Sequence, residues 1–199
     1  MATDLVYGDR LGETVTELVD AFEKNGASYA LIGGIAIGVR SRPRTTKDVD
    51  ILLSVPQLRL PGLVADLAAR GFTLDEQTVI EQFGRHHITA FNYHGVRVDW
   101  LKPVLPTYQH ILDRAVREER PFDRPVRIAT AEGLILLKLV ASRPQDVADV
   151  GTLLASNQGV LDLNWIEREW LTMFPTADPR WQHFRKLVTE FYERPSAAS

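Results

Sequence analysis

The feature that most constrains the fold is Asp48-Val49-Asp50-Ile51-Leu52-Leu53, in which two carboxylates alternate with aliphatic residues and lead into an apolar run. Extended backbone sends successive side chains to opposite faces, so Asp48 and Asp50 share one face while Val49 and Ile51 turn into a core. The pattern predicts a strand over 45–53, closed by Ser54 and Pro56; if it reaches further back, Arg44 and Thr46 join the carboxylate face. Two such carboxylates repel each other, and a divalent cation relieves the repulsion. Magnesium suits the pair, because it takes hard oxygen ligands and completes its octahedron with phosphate oxygens; Mn2+ is the alternative ion. An Asp-x-Asp arises by chance about once in every two chains of this length, so two surface aspartates at a strand end compete with the metal reading until context decides.

Three pieces of context bear on it. Gly33-Gly34 follows a short buried strand, Tyr29 to Ile32, and precedes a predicted helix, Ile35 to Val39. Amides without side chains at a helix N-terminus form a cradle for phosphate, although a tight turn needs the same residues. Asp99 is an isolated acid in the strand pattern Val96 to Leu101, with Val98 and Trp100 on the opposite face. A third carboxylate on an adjacent strand is what a two-metal phosphoryl site requires, and it could serve as general base. Lys138 is the one charged residue in Leu134 to Val140. A buried ammonium needs a partner. Either Asp146 or Asp149 on the next helix supplies it, or a triphosphate does.

The rest of the chain reads as an α/β half followed by helices. Leu11, Val15, Leu18, Val19 and Phe22 mark a helix ended by Asn25-Gly26, and Leu63 to Arg70 a second one. Strands over 86–93 and 96–101 flank His94-Gly95 as a hairpin. Helices are expected at Tyr108–Arg120, at Ala131–Ser142 with Thr130 as N-cap, from Pro144 to about Ala155, at Leu163–Phe174 and at Ala177–Tyr192, with a short extended piece at Val126–Ala129 and a frayed tail from Arg194. The expected fold class is therefore α/β (α+β), a mixed central sheet flanked by helices, with a core over 1–105 and a helical region over 106–199 packed on it. Trp165, Trp170, Phe174, Trp181, Phe184 and Phe191 fall at helical spacing and are expected between the C-terminal helices.

Composition removes several functions. With no cysteine there is neither a disulfide nor a cysteine zinc site, which fits a reducing cytoplasm. Met1 to Arg10 shows no secretory signal, and the apolar stretch Gly133 to Ala141 is too short to span a bilayer, so no membrane partner is expected. A net charge of -3 gives no general attraction to nucleic acid; an RNA partner needs a local patch, for which Arg40, Arg42, Arg44 and Lys47 are the candidates. His86 and His87, adjacent on a predicted strand, face opposite ways and cannot chelate one ion together. No serine sits in a nucleophile elbow.

Leu31-Ile32-Gly33-Gly34, then Arg44-Thr45-Thr46-Lys47-Asp48-Val49-Asp50-Ile51, then Val98-Asp99-Trp100, resembles the DNA polymerase β-like nucleotidyltransferase superfamily. Its pattern is a glycine pair, an Asp-x-Asp strand and a later strand acid; here the second glycine stands where many members have serine. Ala131-Glu132-Gly133-Leu134, Leu137-Lys138-Leu139 and Arg143-Pro144-Gln145-Asp146-Val147-Ala148-Asp149 are similar to the C-terminal helices of AbiEii-like minimal nucleotidyltransferases, often met in toxin–antitoxin or phage-defence systems. The resemblance implies a nucleotidyltransferase fold with Asp48, Asp50 and Asp99 as catalytic and metal-binding residues. It implies that Gly33, Gly34, Thr46 and Lys138, with Arg40 or Arg44, hold a nucleoside triphosphate. It further implies transfer of a nucleoside monophosphate, ATP being one donor, to an RNA end, a protein hydroxyl or a small molecule. A non-catalytic module of the same fold, such as an antitoxin that captures a partner, is the competing reading.

Overall fold

The computed structural model describes residues 9–43 and 45–193. It begins with α1 (Asp9–Lys24), whose stripe Leu11, Val15, Leu18, Val19 and Phe22 is buried, and which ends where Gly26 adopts φ 61°. A glycine accepts that left-handed C-terminal conformation without a Cβ penalty. Then follow β1 (Ser28–Ile32), α2 (Gly33–Arg40) and β2 (Asp48–Ser54), the last starting three residues later than the alternation suggested. A 3-10 turn at Gln57–Arg59 leads into α3 (Leu60–Ala69).

Next is α4 (Glu76–Arg85), capped by Asp75, whose side chain accepts from the Thr78 amide. The hairpin of β3 (Ile88–Tyr93) and β4 (Val96–Leu101) turns through His94 at φ 46° and Gly95 at φ 86°. Two successive left-handed residues match the right-handed twist of the flanking strands. β3 starts after the histidines, contrary to the strand expected from residue 86. His86 is the C-cap of α4, and His87 turns the chain at φ 65°.

After α5 (Pro106–Asp113) come the short strands β5 (Val116–Glu118) and β6 (Val126–Ile128). The helix expected over 108–120 therefore stops at Asp113. Residues 116–118 instead pair antiparallel with β6, Val116 opposite Ile128, and cover its open edge. Then come α6 (Ala131–Ala141), with Thr130 accepting from the Gly133 amide as its N-cap, α7 (Pro144–Ser156), α8 (Leu163–Met173) and α9 (Pro179–Leu187), which ends in a π-helical turn to Tyr192.

The six strands form one mixed sheet in the order β3-β4-β2-β1-β6-β5. β2 runs antiparallel to β1 and parallel to β4, and β1 runs parallel to β6. Trp100 of β4 anchors the core against Phe22, Phe83 and Phe91, with ring centroids 4.9–5.8 Å apart. A second aromatic cluster joins the last helices: Trp170 stacks on Trp181 at 5.6 Å, and Phe174 and Phe184 flank them. No described helix is long and apolar enough to cross a membrane.

Candidate functional site

Strand register builds the site. In the parallel β2–β4 pair, Asp48 lies opposite Arg97, Val49 opposite Val98 and Asp50 opposite Asp99. Alternation then puts Asp48, Asp50, Arg97 and Asp99 on one face as a square, while Val49, Ile51, Val98 and Trp100 are buried on the other. On the other side of β2, Asp50 pairs with Ile32, the last residue of β1, so the glycine pair emerges beside the carboxylate.

The glycines are shaped around that acid. Gly33 has φ 64°, and a Cβ there would stand 1.9 Å from Asp50 Oδ2. A Cβ on Gly34 would stand 2.7 Å from Thr46 Oγ1. The Gly34 amide donates to the Asp50 carboxylate. The pair thus lets backbone approach Asp50 at a distance no side chain permits, and opens the N-terminus of α2 towards the face that carries the acids.

Burial pushes the Asp50 carboxyl above the ordinary aspartate value, and the neighbouring charges of Asp99 and Asp48 push it further; the Gly34 amide and Lys138 pull against them. Asp99 is turned onto Arg97, whose Nε and Nη2 each donate to one of its oxygens at 2.7 Å. Among the described residues, no three His, Asp or Glu side chains converge as placed on a point where they could hold a metal ion. The donor set nonetheless fits a hard divalent cation. Three carboxylates share a face, and two of them act on a half-buried third that a cation would relieve.

Lys138 supplies the opposite wall. Its ammonium lies 2.8 Å from Asp146 and 3.0 Å from Asp149, so both acids proposed as structural partners hold it. Burial alone would raise the Asp146 carboxyl, which is 1% exposed; hydrogen bonds from Arg143 and Lys138 outweigh this and bring it to about 2. Arg143 adds its own backbone amide at 3.0 Å, closing the first turn of α7. Lys138 still faces the cleft and acts on Asp50 across it.

That cleft encloses about 1250 Å³, and Gly33, Gly34, Thr46, Asp48, Asp50, Asp99 and Lys138 all line it. Arg40 does not. Its guanidinium donates to the carbonyls of Ala129 and Ile128 and pairs with Glu118, bracing β5 and β6 behind α2. Arg44 lies outside the described residues. Sequence reasoning also missed the wall formed by Gln82, His86 and Thr89, and the two arginines, Arg97 and Arg143. A signal existed for Arg97, which sits two residues before Asp99 and hence on its face.

The fold that carries this cleft is the nucleotidyltransferase fold. The chain is similar to the solution structure of the antibiotic-resistance factor ANT(2'')-Ia, with a TM-score of 0.52 at 14% identity over 90% of this chain and 94% of the other. The crystal structure of ANT(2'')-Ia in complex with adenylyl-2''-tobramycin gives 0.52 at 16% identity, over 81% and 95%. The lincosamide antibiotic adenylyltransferase LnuA, lincomycin-bound, gives 0.47 at 15%, over 71% and 94%. Neither a family model nor a curated relative matches the chain. At such identities the likeness to ANT(2'')-Ia speaks for the fold alone.

Proposed function

We propose that the protein is a metal-dependent nucleotidyltransferase of the polymerase β-like kind, moving a nucleoside monophosphate from a triphosphate to a hydroxyl acceptor. The observation that carries the reading is the register that sets Asp50 opposite Asp99, beside a glycine pair shaped around Asp50. Asp48, Asp50 and Asp99 would hold magnesium, which supplies charge neutralisation at the phosphates and acidifies the acceptor hydroxyl.

The chain's own groups supply position. The Gly33-Gly34 turn and the start of α2 present amides to the triphosphate, Thr46 borders them, and Lys138 offers its ammonium from the other wall. The acceptor oxygen forms a bond to the α-phosphorus as the bond to the bridging oxygen breaks, and pyrophosphate departs. The hydroxyl proton passes to a carboxylate oxygen of Asp99. The fold relative's bound adenylyl-2''-tobramycin makes a small-molecule acceptor one candidate here, alongside an RNA end and a protein hydroxyl. The similarity of the α6–α7 segment to minimal nucleotidyltransferases supports a place in a toxin–antitoxin or defence system, in the cytoplasm.

The test is incubation of the full chain with each α-labelled triphosphate, magnesium and cell extract. Label in RNA, protein or a small molecule is expected, with loss of at least about a hundredfold in Asp50→Asn. Triphosphate binding without label in any fraction would reject transfer and leave a binding module.

A further inference from the structure

Arg97 places a full positive charge inside the carboxylate square, opposite Asp48 and two residues before Asp99. Packing does not demand it there, since its side chain is 57% exposed. Its guanidinium engages Asp99 through two parallel hydrogen bonds of 2.7 Å, one to each oxygen. This fork geometry is the strongest that an arginine and a carboxylate make, and it sets a positive charge against both oxygens that a cation would approach. No other hydrogen bond to Asp99 is found among the described residues.

The contrast with the second fork is informative. Arg143 binds Asp146 in the same way, but that carboxylate is 1% exposed and also held by Lys138. Breaking that cluster would strand a buried charge. The Arg97–Asp99 pair is open to water, with Asp99 33% exposed, so exchanging one cationic partner for another strands nothing. The buried fork is costly to open, and the exposed one is not.

We propose that Arg97 is a stand-in cation and a positioning residue: it holds the Asp99 carboxylate in its fork until a divalent ion arrives, then yields it. Arg97 thereby sets how tightly the nucleotide-free site takes metal. The inference rests on the metal-site reading given above. In the exchange the guanidinium loses its partner and faces the cleft, where phosphate oxygens can accept its donors. Charge is conserved and no covalent bond changes.

The probe is Mn2+ alone, titrated into the full chain without nucleotide and followed by the electron paramagnetic resonance of free Mn2+. Arg97→Gln, which keeps a polar side chain without the charge, should bind Mn2+ about tenfold more tightly than the parent, as expected for removing one nearby positive charge in a half-solvated site. Arg97→Lys should lie between them, because an ammonium keeps the charge but not the fork. The gain should vanish when Asp99→Asn is already present. Unchanged or weakened affinity in Arg97→Gln, with Asp50→Asn abolishing binding, would overturn the role of Arg97 and leave the metal site standing. Mn2+ binding indifferent to Asp50→Asn, or absent from both the parent and Arg97→Gln, would overturn the metal-site reading itself and the inference with it.

Discussion

Replacing Gly33 by alanine perturbs two things at once. The residue sits at φ 64°, and the new methyl would stand 1.9 Å from Asp50 Oδ2 and 2.5 Å from its Cγ. A left-handed alanine costs about 1–2 kcal/mol, and forcing a methyl into an occupied site adds about 1–3 kcal/mol. The sum, about 2–5 kcal/mol, corresponds to a drop in Tm of roughly 5–15 °C for a chain of this size. Gly34→Ala is the internal control. Its methyl would meet Thr46 Oγ1 at 2.7 Å and Cβ at 2.9 Å, milder contacts with a residue outside helix and strand that can shift, and its backbone is not left-handed. Circular dichroism melting in metal-free buffer should therefore rank parent, Gly34→Ala and Gly33→Ala in falling order. Adding Asp50→Ala to Gly33→Ala removes Oδ2 and Cγ but leaves Cβ at 2.7 Å, and should recover part of the steric share and none of the backbone share. A Gly33→Ala variant that melts with the parent, or a double variant that recovers nothing, would refute the claim that glycine is needed here for close approach to Asp50.

Lys138→Ala should cost about 2–4 kcal/mol in denaturant unfolding, because it strips the buried Asp146 and Asp149 of their shared cation, and triphosphate affinity should fall with it. Weakened binding at full stability would instead mark a lysine devoted to substrate. Asp146 is held at about 2 against an ordinary value of 3.8, so its contribution is fully present above about pH 4 and is lost as pH falls through 2. Acid titration of stability should show this loss, and Asp146→Asn should flatten it. Arg40→Ala should lower Tm by a few degrees by freeing β5 and β6, while leaving triphosphate binding unchanged in equilibrium dialysis.

Local signals carried much of the fold. The carboxylate strand, the glycine junction, the hairpin and the capped helix after Thr130 each follow from a period or a turn residue within a few positions, and all are found. Two elements escaped because their cause lies elsewhere. α4 buries only Val79 and Phe83 in an otherwise polar stretch, so its apolar stripe is too thin to read, although Asp75 three residues before Thr78 is a usable cap signal. β5 continues an amphipathic run in sequence and becomes extended only because β6 offers an open edge. In the site, the three acids share a face because strand alternation and register are regular. Arg40 was grouped with them by sequence proximity, but each helical residue rotates about 100° from the last, and the last turn of α2 carries it towards Ala129 instead. Arg97 was legible from spacing, yet its grip on Asp99 is a rotamer choice that spacing cannot encode.

The two walls of the cleft come from opposite ends of the synthesis order, Gly33 to Asp50 on one side and Leu137 to Asp146 on the other. β1 likewise waits for β6 to join it from beyond residue 125. A chain still emerging from the ribosome at its midpoint already displays the three acids, but has no chamber around them. Whatever the cleft does waits until the chain has been made through α7, and a break between Leu101 and Leu137 parts the two walls in sequence without cutting either acidic strand.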